Sequence, residues 1–453
     1  MEFKNKNIGI WGLGVVGTSA VRYLHAQGAH LQVLDNRILS GEETAFLAQY
    51  SIAWFNADKL LPFLEHNEFI LPSPGIDLRP YAHYQSKWLS ELDIFAAAYK
   101  KPIIAITGSI GKTSVTHLLS TILSTQFQVA TGGNIGTAMF DLLATPSDIA
   151  VLEVSSFQLD LCQSFAPDLA ILTNFYPNHL DRHGTEDEYF RAKGKIFSQQ
   201  KEHQKTLLPL NLYKKIYPLG QPARANTAIF SLSRPTDMEL TAIDPALAIF
   251  YIENNYIVLH HNYGEQKLIA LSDLPEASFI ENWLIICSAL HMLNVRLDSL
   301  GDIKNSLTVP EHRLEKVATI NDIIFYNDSK STTPQSTLAA ITQLQGKPIH
   351  LFVGGISKGI KREDFIKQLH GQVKQVHCFG KEREQLYSWC MQAAIPATCS
   401  TTLEEAFATC AKQSAPGEQI VFSPAGASFD LFKDYKERGN KFKDLVKKLT
   451  TQI

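Results

Sequence analysis

The chain has 453 residues, 45% hydrophobic and 19% charged, and its 42 Lys and Arg against 45 Asp and Glu leave a formal charge of −3. That length exceeds one hydrophobic core and fits about three domains. The near-balance of charge gives no support for a nucleic-acid binder, and no apolar run reaches the ~18 residues of a membrane span.

At the N-terminus, "MEFKNKNIGIWGLG" runs straight into a strand pattern, so no signal peptide is expected. "IGIWGLG" and "LQVLD" read as strands with the helix "TSAVRYLHAQG" between them, a βαβ unit that predicts a parallel sheet. Gly12-Leu13-Gly14-Val15-Val16-Gly17 matches G-x-G-x-x-G, and Asp35 ends the second strand 18 residues after Gly17. Those are the elements of a dinucleotide site: a tight turn, a close phosphate approach and an acid for a ribose. Alone they favour an NAD enzyme. Close helix–strand packing, or another nucleotide diphosphate at the helix N-terminus, remains open. Arg37 is placed to meet a phosphate or sugar, and "LPSPGID" puts Ser73 and Gly75 on a turn at the same edge, with an ordinary Pro-Gly turn as the alternative.

"YKKP" marks a break, after which "IIAITGSIGKTSVTHLL" opens a second strand–loop–helix unit. A phosphate loop is usually G-x-x-x-x-G-K-[ST], whereas Gly108 and Gly111 have only two residues between them. The anchoring end is complete: Lys112 and Thr113 start the helix, where free N–H groups hold phosphate, Lys112 would reach the β/γ-phosphates and the Thr113 hydroxyl would bind Mg²⁺. A plain Gly-rich turn is the competing reading. The next strands, "IAVLEV" and "LAILTN", deliver Glu153 and, on the following loop, His179 and Asp181 to the same sheet edge. Thr113, Glu153 and His179 are therefore expected to converge on one or two divalent ions. In "EDEYFRAKGKIF", Lys193 shares a helical face with Tyr189, Phe190, Ile196 and Phe197, while Lys195 does not. Snorkelling and desolvation with altered chemistry are both readings of that lysine.

Between roughly 205 and 272 the texture changes, and "ALAIFYIENNYIVLHHNYGEQKLIAL" reads as a meander turning at Asn254-Asn255 and near Gly264. We expect an antiparallel addition to the second domain, closed by the helix "ENWLIICSALHML". The third segment opens near "VPEHRLEKV", with strands "IIFYND", "IHLFVGG", "QVHCFG" and "QIVFSP". The whole reads as three α/β units in a row, bounded at 1–98, 99–308 and 309–453. The six cysteines show no CxxC spacing and read as reduced thiols of a cytoplasmic protein.

In chain order, "TGSIGKTS", "GGNIG", "EVSSFQL", "TNFYPNHLDRHG", "EHRLE", "YNDSKSTTP", "VGGISKG" and "SPAGASFDLFKDYKERG" resemble the Mur ligases over nearly the whole chain. The resemblance implies a Rossmann-like N-terminal domain, a P-loop-type central domain with the antiparallel addition, and a Rossmann-like C-terminal domain. It implies a short phosphate loop that works, and a UDP-sugar rather than NAD at the first glycine cluster. The implied UDP-sugar residues are Gly14, Val15, Val16, Gly17, Asp35, Asn36, Arg37, Ser73 and Gly75, with Asn134 and Gln158 from the central domain. ATP contacts fall on Gly108, Ser109, Ile110, Gly111, Lys112, Thr113, Ser114, Asn282, Arg313 and Asp328. Magnesium, as two ions, falls on Thr113, Glu153, His179 and Lys193, the last matching a lysine that the family carbamylates. Thr332, Lys358, Ser428 and Phe429, with His179, are implied for D-glutamate, and Lys112, Glu153, His179 and Lys193 for catalysis. The implied reaction is ATP-dependent addition of D-glutamate to UDP-N-acetylmuramoyl-L-alanine in peptidoglycan precursor synthesis, by a monomer without nucleic-acid or membrane partners. Asn178, Glu281 and Ile110 depart from the family pattern. Competing readings are a sister ligase with another amino acid, a folylpolyglutamate synthase, an NAD-dependent oxidoreductase and a non-catalytic nucleotide-binding regulator.

Overall fold

The computed structural model describes residues 2–216, 226–275, 278–297, 300, 307, 311–344, 346–357, 359 and 361–450. The chain forms two compact units. One comprises Met1–Phe175, Asp187–Glu276 and Ile280–Leu307; the other comprises Tyr176–Glu186, Ala277–Phe279 and Thr308–Ile453. The first unit holds two sheets and the second holds one.

The first sheet is the expected parallel βαβ layer. Strands β1 (Asn7–Trp11), β2 (His30–Leu34), β3 (Ala53–Phe55) and β4 (Phe69–Pro72) lie in the order β3-β2-β1-β4. Ile8, Ile10, Val33 and Leu71 are buried against Val21 and Leu24 of the helix Val15–Ala26, which gives the sheet its core.

The second sheet has nine strands. β5 (Ile103–Thr107), β6 (Val129–Gly133), β7 (Ile149–Glu153), β8 (Leu169–Leu172), β9 (Lys205–Pro209), β10 (Asn226–Ser231), β11 (Ala248–Glu253), β12 (Tyr256–His261) and β13 (Gly264–Ala270) run in the order β13-β12-β11-β10-β9-β8-β5-β7-β6. β5 is buried at every position, as expected of a parallel strand covered on both faces. β7 and β8 flank it, so the loop after β5 opens at the point where the strand order reverses, the usual ligand crevice of such sheets.

The expected meander is present: β11, β12 and β13 are antiparallel, and Asn254 and Asn255, with φ of 48° and 63°, make the two-residue turn. The antiparallel part is shorter than expected from residue 205 onward. β9, β10 and β11 continue the parallel ladder of β8, because "KTLLP" and "NTAIFS" are buried on both faces.

The third sheet contains β14 (Glu315–Ile320), β15 (Ile323–Asn327), β16 (Ile349–Val353), β17 (Gln375–Phe379), β18 (Ala397–Ser400) and β19 (Gln419–Phe422), in the order β14-β15-β19-β16-β17-β18. Only β14 is antiparallel to its neighbour. Alternate residues feed two cores: Leu351 and Val353 join Val376 and Val421 on one face, while Phe352 meets Phe379, Phe422 and Phe442 on the other. Among the described residues, no helix is long and apolar enough to cross a membrane.

Candidate active site

The first glycine cluster is built around backbone contact. Gly12 has φ of 97°, and a Cβ on Gly17 would lie 2.0 Å from the Gly12 carbonyl oxygen, so both positions need glycine for the strand-to-helix turn itself. Gly14 has open space where its Cβ would be. The Asp35 carboxylate accepts from Leu13 N at 2.8 Å and from Arg37 N and Nε at 2.9 and 3.2 Å. Burial works against its charge, but these donors hold its pKa below the usual carboxylate range. Arg37 also donates to Glu43 at 3.1 Å, and Ser73 Oγ donates to Gly12 O at 3.1 Å. The result is a cleft of ≈ 620 Å³ lined by Gly12–Val15, Asp35, Arg37 and Ser73, with Arg22 and Asp141 at its rim. Val16, Gly17, Asn36 and Gly75 stand next to these residues in the chain, outside the cleft lining.

The second loop is tighter. Gly108 has φ of 149° and Gly111, which precedes the helix Lys112–Leu123, has φ of 81°. A Cβ at Gly108 would lie 1.9 Å from Thr173 Oγ1 and one at Gly111 would lie 2.6 Å from Asn282 Oδ1. Two residues that the sequence reading did not single out, Thr173 and Asn174, hold this loop from the end of β8. Asn174 O accepts from Ser109 N at 3.1 Å, Asn174 Oδ1 from Ile110 N at 2.9 Å, and Thr173 Oγ1 donates to Ile110 O at 2.6 Å. Ile110 is therefore held through its backbone, which is indifferent to its side chain. Glu281 is hydrogen-bonded to the Asn174 side chain, and burial raises its carboxyl pKa.

Around this loop the structure brings together four of the expected groups. Lys112 Nζ donates to Gly108 O at 2.9 Å and to Ser109 O at 3.2 Å. Thr113 Oγ1 donates to Glu153 Oε2 at 2.5 Å. Glu153 ends β7 beside Ile106 and Gly133, and its other oxygen accepts from Asn134 Nδ2 at 2.8 Å. Lys193, 1% exposed on the helix Glu186–Ser198, donates from Nζ to Gly108 O at 2.8 Å and lies 4.7 Å from the Tyr189 ring centroid. Burial first, and then the Lys112 ammonium, push its pKa well below the usual lysine range, while Glu153 opposes them. Ser114 is buried in the first turn of the same helix as Lys112. Gln158 completes a capping box with Ser155 and donates to Glu91 at 3.3 Å.

The remaining expected residues belong to the second unit. His179 caps the short helix Leu180–His183 with φ of 55°, and its N–H donates to Asn178 Oδ1 at 2.9 Å, so the asparagine serves the turn. Asp328 is buried, accepting from Ser423 Oγ at 2.7 Å and Leu314 N at 3.1 Å; burial pushes its carboxyl up to about 6. Arg313 acts on it through charge. Thr332 and the buried Ser428 lie on the loops that follow β15 and β19, and Phe429 is 69% exposed. Lys358 lies outside the described residues.

Oxygen donors from Thr113 and Glu153 at a helix N-terminus suit a hard divalent cation, and the nearby Lys112 suits the phosphates that such a cation accompanies. Residues 6–87 match the family model for a Mur ligase MurD-like N-terminal domain, 106–247 that for a Mur ligase middle domain, and 312–426 that for a Mur ligase glutamate ligase domain. The chain is 34% identical over 460 residues to a protein of Acidobacterium capsulatum named UDP-N-acetylmuramoylalanine--D-glutamate ligase, covering 98% of this chain and 97% of that one. It is 32% identical to the protein of the same name from Caldanaerobacter subterraneus subsp. tengcongensis, covering 98% and 99%. The fold is similar to that of the MurF ligase from Thermotoga maritima in complex with ADP, with a TM-score of 0.57 and 16% identity over 99% of this chain and 96% of that one.

Proposed function

The chain belongs to the Mur ligase family, and on that footing we propose that it is an ATP-dependent ligase joining D-glutamate to UDP-N-acetylmuramoyl-L-alanine in peptidoglycan precursor synthesis. The observation that carries this reading is the grouping of Lys112, Thr113, Glu153 and Lys193 around one glycine loop. The name borne by near-full-length relatives supports the choice of amino acid. We take the domains as 1–98 for the UDP-sugar, 99–308 for ATP and 309–453 for the amino acid. One sheet per segment supports the division, although residues 308–310 lie outside the described part.

The substrate's alanyl carboxylate is a poor electrophile. It attacks the γ-phosphate of ATP, releasing ADP, to form an acyl phosphate, and the D-glutamate amine then displaces phosphate to leave an amide. Lys112, backbone N–H groups of the loop and the helix N-terminus offset the charge spread over the transferring phosphoryl group. Magnesium bound by Thr113 and Glu153 would supply further charge neutralisation there. Lys193 is suited to carbamylation: burial lowers its pKa, and its free amine can attack CO₂, releasing one proton and gaining a carboxylate-like end for metal. The incoming amine must lose a proton, and Asp328, with its raised pKa, and His179 are the acceptors we propose. Arg313, Asn282 and Asp328 are assigned to ATP, and Thr332, Lys358, Ser428 and Phe429 to D-glutamate.

Phosphate release by the purified protein tests the reading. Release should require ATP, UDP-N-acetylmuramoyl-L-alanine and D-glutamate together. Preference for another member of an amino-acid panel, or release that ignores the amino acid, would overturn it.

A further inference from the structure

Arg362 and Arg438 are fully buried in the second unit, beneath the loops that follow β15, β16 and β19. Arg362 donates from Nη1 to Gly354 O at 2.8 Å, and from Nη2 to Gly355 O at 3.0 Å and Glu382 Oε2 at 2.6 Å. Arg438 donates from Nη1 to Gly426 O at 2.9 Å, from Nη2 to Ser329 O at 2.7 Å and from Nε to Ser329 Oγ at 3.1 Å. Between them, two guanidinium groups tie the loops that follow β15, β16, β17 and β19.

Two of those loops cross. Ile356 and Ala427 exchange both backbone hydrogen bonds at 2.8 Å. A Cβ on Gly355 would lie 2.2 Å from Ala427 O and 3.0 Å from Arg438 Nη1, and one on Gly426 would lie 2.3 Å from Gly354 O and 2.7 Å from Arg362 Nη1. The glycines are thus needed for the guanidiniums to reach the crossing at all. A fold that required only hydrogen-bond donors here could use neutral ones, because burying a guanidinium is costly unless it is compensated. Arg362 has the partner Glu382, whereas the donors of Arg438 go to carbonyls and a hydroxyl, with Asp430 and Asp328 acting on it only through space. The Asp328 carboxyl, raised to about 6, offers Arg438 a counter-charge at neutral pH, through space only. The loops above carry Thr332, Ser428 and Phe429, the residues assigned to the incoming amino acid.

We propose that Arg362 and Arg438 are positioning residues that set the charge preference of the amino-acid pocket, holding the loop crossing in place and lending it a positive field that selects an anionic side chain over its neutral amide. This rests on the amino-acid assignment made above. The test is the ratio of kcat/KM for D-glutamate to that for D-glutamine, read by phosphate release with ATP and UDP-N-acetylmuramoyl-L-alanine on the full chain. Arg438→Met should lower the ratio about 10-fold through KM for D-glutamate, the size expected of one charge removed several ångströms from a carboxylate. KM for the nucleotide sugar should stay unchanged, which a general loosening of the fold would not allow. Arg438→Lys keeps the charge and should keep the ratio while kcat falls. Glu382→Gln removes the counter-charge of Arg362 and should raise the ratio several-fold, so the proposal remains testable if Arg438→Met does not fold. A ratio unmoved by the folded variants of an active protein would overturn this proposal alone. Absence of D-glutamate-dependent release from the unaltered protein would overturn the assigned function and this proposal with it.

Discussion

Two glycine loops in this chain share one plan, a buried parallel strand turning into a helix, and they differ in what surrounds the turn. At Gly12–Gly17 the helix begins with valines, and the nearby acid, Asp35, is held by Leu13 N and Arg37. At Gly108–Thr113 the helix begins with Lys112 and Thr113, and neighbouring elements add Glu153, Lys193 and Asn282. The first arrangement offers a cleft with two exposed guanidiniums, Arg22 and Arg37, each paired with an acid, and the second concentrates charge around one loop. The difference teaches that the strand–loop–helix unit supplies an anion cradle in both places, while chemistry is set by the side chains that adjacent strand ends contribute.

If that division is right, changes at the second loop should act on kcat and changes at the first on KM or stability. The largest expected effect is Lys112→Ala, which should lower ATP-dependent phosphate release by about 10³-fold while calorimetry still records nucleotide-sugar binding; near-normal turnover would break the comparison. Lys193→Ala should cost about 10²-fold and recover partly with added formate or acetate, because a small carboxylate can replace a carbamate near the metal. Full activity in that variant without any carboxylate would remove the carbamate. Gly17→Ala should destabilise the fold by about 2 kcal/mol, since its Cβ would meet the Gly12 carbonyl, whereas Gly14→Ala should cost below about 1 kcal/mol, as judged by denaturant midpoints. The smallest effect is Arg37→Gln, for which KM for the nucleotide sugar should rise about 5-fold with kcat unchanged, because a surface cation contributes modestly. A fall in kcat there would sink the division of labour.

Much of this arrangement was legible in the residues. Buried strands such as "IIAIT" and "IAVLE" carry their periodicity locally, and an acid closing an apolar strand announces Glu153. Lys193 stood out because its helical neighbours are apolar. Thr173 and Asn174 did not stand out, since their task is to bond a loop more than 60 residues earlier, a contact that only the sheet order creates. Arg438 lies near the end of the quoted stretch "SPAGASFDLFKDYKERG", and nothing local signals that its guanidinium bonds Gly426 and Ser329 on two other loops. The parallel course of β9 and β10 was hidden for a similar reason: an apolar strand does not reveal the direction of its partner.

The outermost strand of the large sheet, β13, ends with a register shift against β12 at Ile257/Val258 and carries exposed Glu265 and Lys267. A foreign backbone adding to that side would meet an uneven ladder and would have to strip water from fixed charges. That margin of the sheet is thereby a poor template for a further strand.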